Sequence, residues 1–335
     1  MTGIHDPLRR RITIGVDTHK NAHVAVALDQ VGAVIGEITI PVDRAGYDQL
    51  EQWAGGLGEQ ADFGVEGTGS YGAGPTSQLR RRGHRVIEVN RPNRGVRHLR
   101  GKNDMIDAEV AARAVLSGTA TAVPKTADST VEMIRQVKIA KDTAVKARSQ
   151  AIFTLKTVIV TAPAELREQL DQLNDRELIE ECCTLRYETM SGPGDASRYT
   201  LRALANRYHA LDSEARLHDR VLATLTDRVA PAFTSLFGVG DDSAAELLLV
   251  VGDNPERIRS EAALAKLCGA CPIPASSGKT SRHRLNRGGH RQANAALHRI
   301  AIVRMRFHEP AIAYVNRRTA EGKARRKYSA ASKGS

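Results

Sequence analysis

Aromatic side chains are scarce in this chain, 4% of the residues with one tryptophan. That scarcity argues against a surface that reads single strands mainly by stacking bases on rings. No run approaches the roughly 18 apolar residues a membrane span needs, so no membrane partner is expected. The first eleven residues are polar and lack the apolar core of a signal peptide. Cysteines number four, Cys182, Cys183, Cys268 and Cys271. An adjacent pair and one C-x-x-C make no disulfide framework, and the C-x-x-C has no second pair to complete a zinc site. A reducing cytoplasmic setting fits this usage.

What the chain has in excess is positive charge. Its 335 residues carry 49 Lys and Arg against 38 Asp and Glu, a net charge of +11. A strongly basic chain of this kind most often binds a polyanion, usually nucleic acid. Hydrophobic residues make up 41%, enough for packed cores, and the length allows two or three domains.

The first third alternates as strands do. Ile12, Ile14 and Val16 share one face while Thr13, Gly15 and Asp17 share the other. Residues 22–28 and 33–40 read as two further strands of an antiparallel meander. A helix over 44–54, a strand over 63–66, a helix over 75–82 and a strand over 85–90 follow, which makes a mixed sheet with helices on its faces. Gly15-Val16-Asp17 and Gly64-Val65-Glu66 both set a carboxylate two residues after a glycine, on the same strand face. Such a glycine leaves room beside the acid for a metal or a phosphate, although an exposed acid at a strand end is common. Next, Asn103 or Asp104 caps a helix that runs to about Ser117 and stops at Gly118. Asp104 and Asp107 share one face of it, and Ile106, Val110 and Ala114 are expected to face the core. Two acids in a first turn also simply suit the helix dipole.

From about residue 131 to 161 one long helix carries an apolar stripe through Met133, Val137, Ala140, Ala144, Ala147, Ala151, Leu155 and Val158, with Lys138, Lys141, Lys146 and Arg148 on the remaining surface. Residues 164–190 and 198–229 read as two more helices. The stripe suits coiled-coil pairing within the chain or between chains. Farther on, Gly238-Val-Gly240 before a helical run resembles a helix-hairpin-helix turn, whose free N–H groups could bind phosphate, or an ordinary glycine turn. A short helix over 261–268 leads through a Gly/Pro loop to Ser276-Ser277-Gly278. Lys279, Arg282, His283, Arg284, Arg287, His290 and Arg291 come next, a density of cations that can neutralise phosphates or merely be solvated. A helix over 291–303 and a basic Ser/Ala-rich tail close the chain.

The sheet order with Asp17, Glu66, Asp104 and Asp107 resembles the RNase H/RuvC-type nuclease fold. More specifically, Gly15-Val-Asp17-Thr-His-Lys20, Glu66-Gly-Thr-Gly-Ser-Tyr71, Asn90-Arg-Pro-Asn-Arg94 and Lys102-Asn-Asp104-Met-Ile-Asp107-Ala resemble the DEDD transposases of insertion sequences, whose members act as bridge-RNA-guided recombinases. The likeness runs in order over nearly the whole chain, through Ser-Gly, the basic loop and Arg287-Gly-Gly-His-Arg291. It implies a RuvC-like DEDD domain over 1–125, a helical coiled-coil segment used in assembly over 126–230, a mainly helical C-terminal transposase domain over 231–310, and a basic, disordered tail over 311–335. It also implies Mg²⁺ on Asp17, Glu66, Asp104 and Asp107. Ser277, the serine before the glycine, is then the nucleophile that forms a covalent phosphoserine, with Ser276 as its rival. The partners implied are double-stranded donor and target DNA, a bridge RNA, and further copies of the chain in a dimer or tetramer. In that assembly the acid site of one subunit would serve the serine of another, near the nucleoid. Two other readings remain: a RuvC-like nuclease that activates water, and a non-catalytic nucleic-acid-binding protein.

Overall fold

The computed structural model describes residues 11–322 except 90–102, 127–128, 188, 254–257, 259, 279, 281 and 285. The chain forms two compact units, one of residues 1–129 with 252–259 and one of residues 130–251 with 260–335.

The first unit is built on a five-stranded sheet: β1 (Arg11–Thr18), β2 (Ala22–Leu28), β3 (Val34–Pro41), β4 (Gln60–Glu66) and β5 (Arg85–Val89), in the order β3-β2-β1-β4-β5. The first three strands form the expected antiparallel meander, and β4 and β5 add in parallel. Period-two alternation divides the sheet into two faces. Ile12, Ile14, Val16, Phe63 and Val65 pack with Leu50 of α1 (Arg44–Leu57) and Leu79 of α2 (Ala73–Arg81). The opposite face is covered by α3 (Asp104–Leu116), whose Ala108 and Ala112 meet Val24, Val26 and Leu28, and whose Ala111 and Val115 meet Ile87 and Val89. This mixed sheet is the RuvC-like architecture.

Asn103 caps α3 by accepting from the Met105 N–H at 3.1 Å, and Gly118, at φ +72°, follows its end. Its core face is not the expected one. Ile106, Val110 and Ala114 are only half-buried, whereas Ala108, Ala111, Ala112 and Val115 are buried. The reason lies in the sheet. A Cβ on Gly15 would lie 1.9 Å from the Ala108 carbonyl oxygen and 2.4 Å from the Ala112 nitrogen, and one on Gly64 would lie 2.7 Å from Val115 Cγ2. The room at Gly15 and Gly64 is therefore filled by α3, by its backbone at Gly15 and first by the Val115 side chain at Gly64. Alanines opposite glycines let helix and sheet approach closely, so the smallest side chains mark the packed face.

In the second unit, α4 (Thr130–Val160) packs along α7 (Pro193–Val229). The ion pairs Lys141–Asp219 and Arg148–Asp212 run in opposite senses along the two helices, so they form an antiparallel pair within the chain. Residues 164–190 are not one helix but two, α5 (Ala164–Asp171) and α6 (Asp175–Thr184). Asn174 starts the second with a reciprocal cap: its side chain accepts from the Glu177 N–H, and the Glu177 carboxylate accepts from the Asn174 N–H. Leu155, Ile159, Leu166, Leu170, Leu178 and Leu201 fill the core there, and Ile134, Leu222, Leu225 and Ala245 fill the other end of the pair. Met133, expected in the stripe, is exposed, while Lys138 and Lys141, expected on the surface, are buried.

The remaining elements are α8 (Pro231–Thr234), α9 (Asp241–Val251), α10 (Glu261–Leu267), β6 (Ile273–Pro274), β7 (His283–Arg284), α11 (Arg291–Phe307) and α12 (Glu309–Ala320). Leu247, Val250, Cys268, Ala293, Ala296 and Ile300 make their core. Residues 311–320, assigned to the tail on sequence, continue as α12. The rest of that tail beyond Gly322 lies outside the described residues. Asp242 and Glu246 on α9 supply the countercharges for Lys138, at 3.3 and 2.9 Å, and Asp242 also holds Lys141 at 2.7 Å. Burial alone would lower the Lys138 pKa. Its hydrogen bonds to Asp142 and Glu246 and the field of Asp242 outweigh that and raise it, so the ammonium stays charged.

Candidate active site

The parallel register pairs Gly15 with Gly64 and Val16 with Val65, so Asp17 and Glu66 come next at the same ends of adjacent strands and on the face that α3 covers. Both are nearly buried, 6% and 7% exposed. Beyond the register, the Thr18 hydroxyl donates to the Glu66 carbonyl at 2.9 Å and joins the two strand ends. Gly67 then turns the chain at φ +66°, where the Ser70 and Gly72 N–H groups bond its carbonyl. Two of the Gly-Thr-Gly-Ser residues after Glu66 are thus accounted for by the turn.

The first turn of α3 brings Asp104 to Asp17. His19 lies between them, with Nε2 at 3.0 Å from Asp17 Oδ2 and 3.3 Å from Asp104 Oδ1. One ligand atom from each of Asp17, His19 and Asp104 lies within 4.8 Å of the others. Asp107 acts on Asp17 through its field, whereas Glu66, at the neighbouring strand end, stands outside this cluster. Burial pushes the Asp17 carboxyl above the ordinary range. His19 opposes the shift, and the like charges of Asp107 and Asp104 add to it. Crowded carboxylates, one of them nearly buried, fit a hard divalent cation, which would neutralise them with oxygen ligands. The sequence points to the four acids but does not single out His19. Its one signal is a histidine two residues after Asp17, just past the end of β1 at Thr18.

The serines belong to a hairpin. β6 and β7 pair Ile273 with Arg284 and Pro274 with His283, and the Ala275 N–H donates to the Arg282 carbonyl at 2.8 Å. At the tip, Ser277 and Thr280 exchange both backbone hydrogen bonds at 3.1 Å around Gly278, whose φ of +53° suits the tight turn. A Cβ on Gly278 would meet nothing within 4 Å, so its demand is conformational and its surroundings are open. Ser276 and Ser277 are both exposed. The Ser276 hydroxyl oxygen accepts from the Arg282 N–H at 3.4 Å, while among the described residues nothing bonds the Ser277 hydroxyl.

Of the expected basic residues, Arg282, His283, Arg284, Arg287 and Arg291 are exposed, and none pairs with a carboxylate among the described residues. Arg284 and Arg287 line one groove with Ile273 and Gly288. Lys279 and the Asn90-to-Arg94 stretch lie outside the described residues. His290 caps α11, its Nδ1 accepting from the Ala293 N–H at 3.3 Å. Gly238 packs on Arg304 and Ile300 of α11 at φ +82°, and Gly240 directly precedes α9. A phosphate at that helix start would meet Asp241 and Asp242 of its first turn. Cys268 is a buried core residue with a free thiol whose pKa burial raises.

Comparison with known proteins bears on both units. Residues 14–162, from β1 to the loop after α4, match the family model of the IS110-type DEDD transposase, described as a transposase. Residues 230–316, from the end of α7 into α12, match the model described as the transposase of the IS116/IS110/IS902 family. No curated protein matches the chain. The two segments lie in order and together span well over half of the sequence, so the chain belongs to the IS110 family of transposases, enzymes that act on DNA.

Proposed function

We propose that this transposase cuts and rejoins DNA through a covalent phosphoserine formed by Ser277, with a divalent cation, Mg²⁺, on Asp17, Glu66, Asp104 and Asp107. The observation that carries the reading is the meeting of Asp17 and Asp104, from a strand end and a helix start that are far apart in sequence, on a RuvC-like sheet. When bound, the cation supplies positive charge to the leaving oxygen of the phosphodiester. The Ser277 hydroxyl, at an open hairpin tip, attacks the scissile phosphorus. A P–Oγ bond forms, the P–O3′ bond breaks, and the 3′ oxygen leaves to take up a proton. The reverse attack by a 3′ hydroxyl rejoins a strand with no outside energy source. Arg282, Arg284, Arg287 and Arg291, without carboxylate partners among the described residues, hold the phosphate and the charge that develops on it, with Lys279 and His283 beside them in sequence.

The division of labour follows the segments 1–125 for the metal, 126–230 for assembly and 231–310 for the serine. Self-association into a dimer or tetramer would let the acids of one copy serve the serine of another. The net charge of +11 and the unpaired arginines support a nucleic-acid partner in addition to DNA, a bridge RNA that supplies the target sequence. One observation favours a rival, hydrolysis by metal-activated water: among the described residues no general base is hydrogen-bonded to Ser277.

The test is strand cleavage by the full chain together with the RNA that co-purifies with it. Cleavage that needs Mg²⁺, and is lost in both Asp17→Asn and Ser277→Ala, is the expected result. Cleavage by Ser277→Ala at the wild-type rate would favour water as the attacking group.

A further inference from the structure

We propose that His19 is itself a ligand of the divalent cation, through Nε2, so that the centre is a mixed nitrogen and oxygen site and not an all-carboxylate one. The inference rests on the reading of Asp17 and Asp104 as metal ligands and names a third residue for the same ion.

Three observations carry it. The first is spacing. Donor atoms at neighbouring corners of an octahedral ion with bonds of about 2.1 Å are about 3 Å apart. His19 Nε2 stands 3.0 Å from Asp17 Oδ2 and 3.3 Å from Asp104 Oδ1, so the ring nitrogen already has, toward each carboxylate, the separation of ligands that share one cation, and the three residues offer ligand atoms all within 4.8 Å of one another.

The second is that the ring is held there. β1 and β2 pair through Asp17 with Val24 and Thr18 with His23, which leaves His19 in the short connection that closes the hairpin. The His19 N–H donates to His23 Nδ1 at 3.3 Å. His23 is fully buried and stacks on Tyr47, with ring centroids 5.9 Å apart and planes 9° from parallel. A buried, stacked imidazole therefore anchors the backbone of the residue that reaches the carboxylates.

The third is chemical. A ring needed only to balance charge would be replaceable by the Lys20 next to it, whose ammonium can neutralise acids but offers no lone pair. Imidazole offers both functions: N–H donation to the two carboxylates without the ion, and a nitrogen lone pair toward the ion when it binds. Imidazole ligands favour transition ions over Mg²⁺ and Ca²⁺, so His19 should tilt the site toward ions such as Mn²⁺.

The experiment uses Mn²⁺ as the probe on the full chain, read by electron spin echo modulation from a coordinated nitrogen and by calorimetric titration with Mn²⁺ and with Mg²⁺. Wild type should show nitrogen coupling on bound Mn²⁺. His19→Gln keeps an N–H donor toward the carboxylates but offers no imidazole. It should lose the coupling and weaken Mn²⁺ by about tenfold while Mg²⁺ changes much less, and His19→Ala should do the same. Trp53 fluorescence checks that the sheet is folded in each variant. Bound Mn²⁺ that depends on Asp17 yet shows no nitrogen coupling in wild type would overturn the role of His19 and leave the carboxylate site standing. So would coupling that persists in His19→Gln. Mn²⁺ binding indifferent to Asp17→Asn would instead overturn the metal site, and this inference with it.

Discussion

Gly15→Ala is the sharpest perturbation the sheet offers. The added Cβ would lie 1.9 Å from the Ala108 carbonyl oxygen and 2.4 Å from the Ala112 nitrogen. Ordinary contact is about 3.5 Å, so α3 must retreat from β1 by about 1.5 Å. Both opposing atoms are backbone, so no side-chain rotation relieves the clash. A retreat of that size forfeits much of the dispersion between α3 and the sheet and loosens Ala108, Ala111, Ala112 and Val115, all buried. Overpacking costs about 1–3 kcal/mol in general, and about 3 kcal/mol is expected here because the backbone itself must move. Gly64→Ala meets a side-chain atom first, Val115 Cγ2 at 2.7 Å, and should cost about 1–2 kcal/mol. Gly55→Ala and Gly56→Ala in α1 meet nothing within 4 Å and should stabilise by about 0.5–1 kcal/mol as helical positions. The sole tryptophan, Trp53, packs against the sheet core of the same unit, so urea unfolding followed by its fluorescence reads this cost directly. Because α3 carries Asp104, Gly15→Ala should also weaken Mg²⁺ binding. A Gly15→Ala midpoint equal to wild type, with Mg²⁺ affinity unchanged, would refute the packing argument.

Three further outcomes can be checked. Burial raises the Asp17 pKa in the fold, so native protein holds its proton to higher pH than unfolded protein does, and metal-free stability falls as pH rises from the unfolded value through the folded one. Asp17→Asn should therefore exceed wild type in metal-free thermal stability at pH 7, with the gain vanishing below the unfolded carboxyl pKa and no further rise on adding Mg²⁺. Lys138→Met leaves the nearly buried Glu246 without its cation, while Asp242 keeps Lys141 and Arg299, and should cost about 3 kcal/mol in urea unfolding followed by circular dichroism, with much of it recovered in the double variant Lys138→Met, Glu246→Gln. Arg284→Ala and Arg287→Ala should each weaken DNA or RNA binding across sequences and reduce the slope of log K against log salt by about 1, measured by anisotropy titration.

The strands and the cap of α3 were legible because each rests on local signals: alternation of apolar residues, Asn103 before the helix and Gly118 after it. The face of α3 was not, because hydrophobicity points to Ile106 and Val110, whereas the sheet, lined with Gly15 and Gly64, selects the small residues that permit close approach. Lys138 and Lys141 read as solvated because their countercharges, Asp219, Asp242 and Glu246, come from other helices far along the chain. The break at Asn174 could have been seen in Asn174-x-x-Glu177, a capping pair. Asp17, Glu66, Asp104 and Asp107 stood out through their repeated Gly-Val-acid and Asp-x-x-Asp spacing. His19 did not, since only the hairpin between β1 and β2 brings its ring to the helix. The hairpin that carries Ser277 has two-residue strands, too short for any periodicity to announce them.

The most direct test of the proposed chemistry is the covalent bond itself. A DNA substrate that traps the cleaved strand, incubated with the full chain and its RNA and then digested for peptide mapping, should yield DNA linked to Ser277. The same adduct is expected from Ser276→Ala and none from Ser277→Ala. Cleaved DNA with no linked peptide, or an adduct that maps to Ser276, would contradict the account.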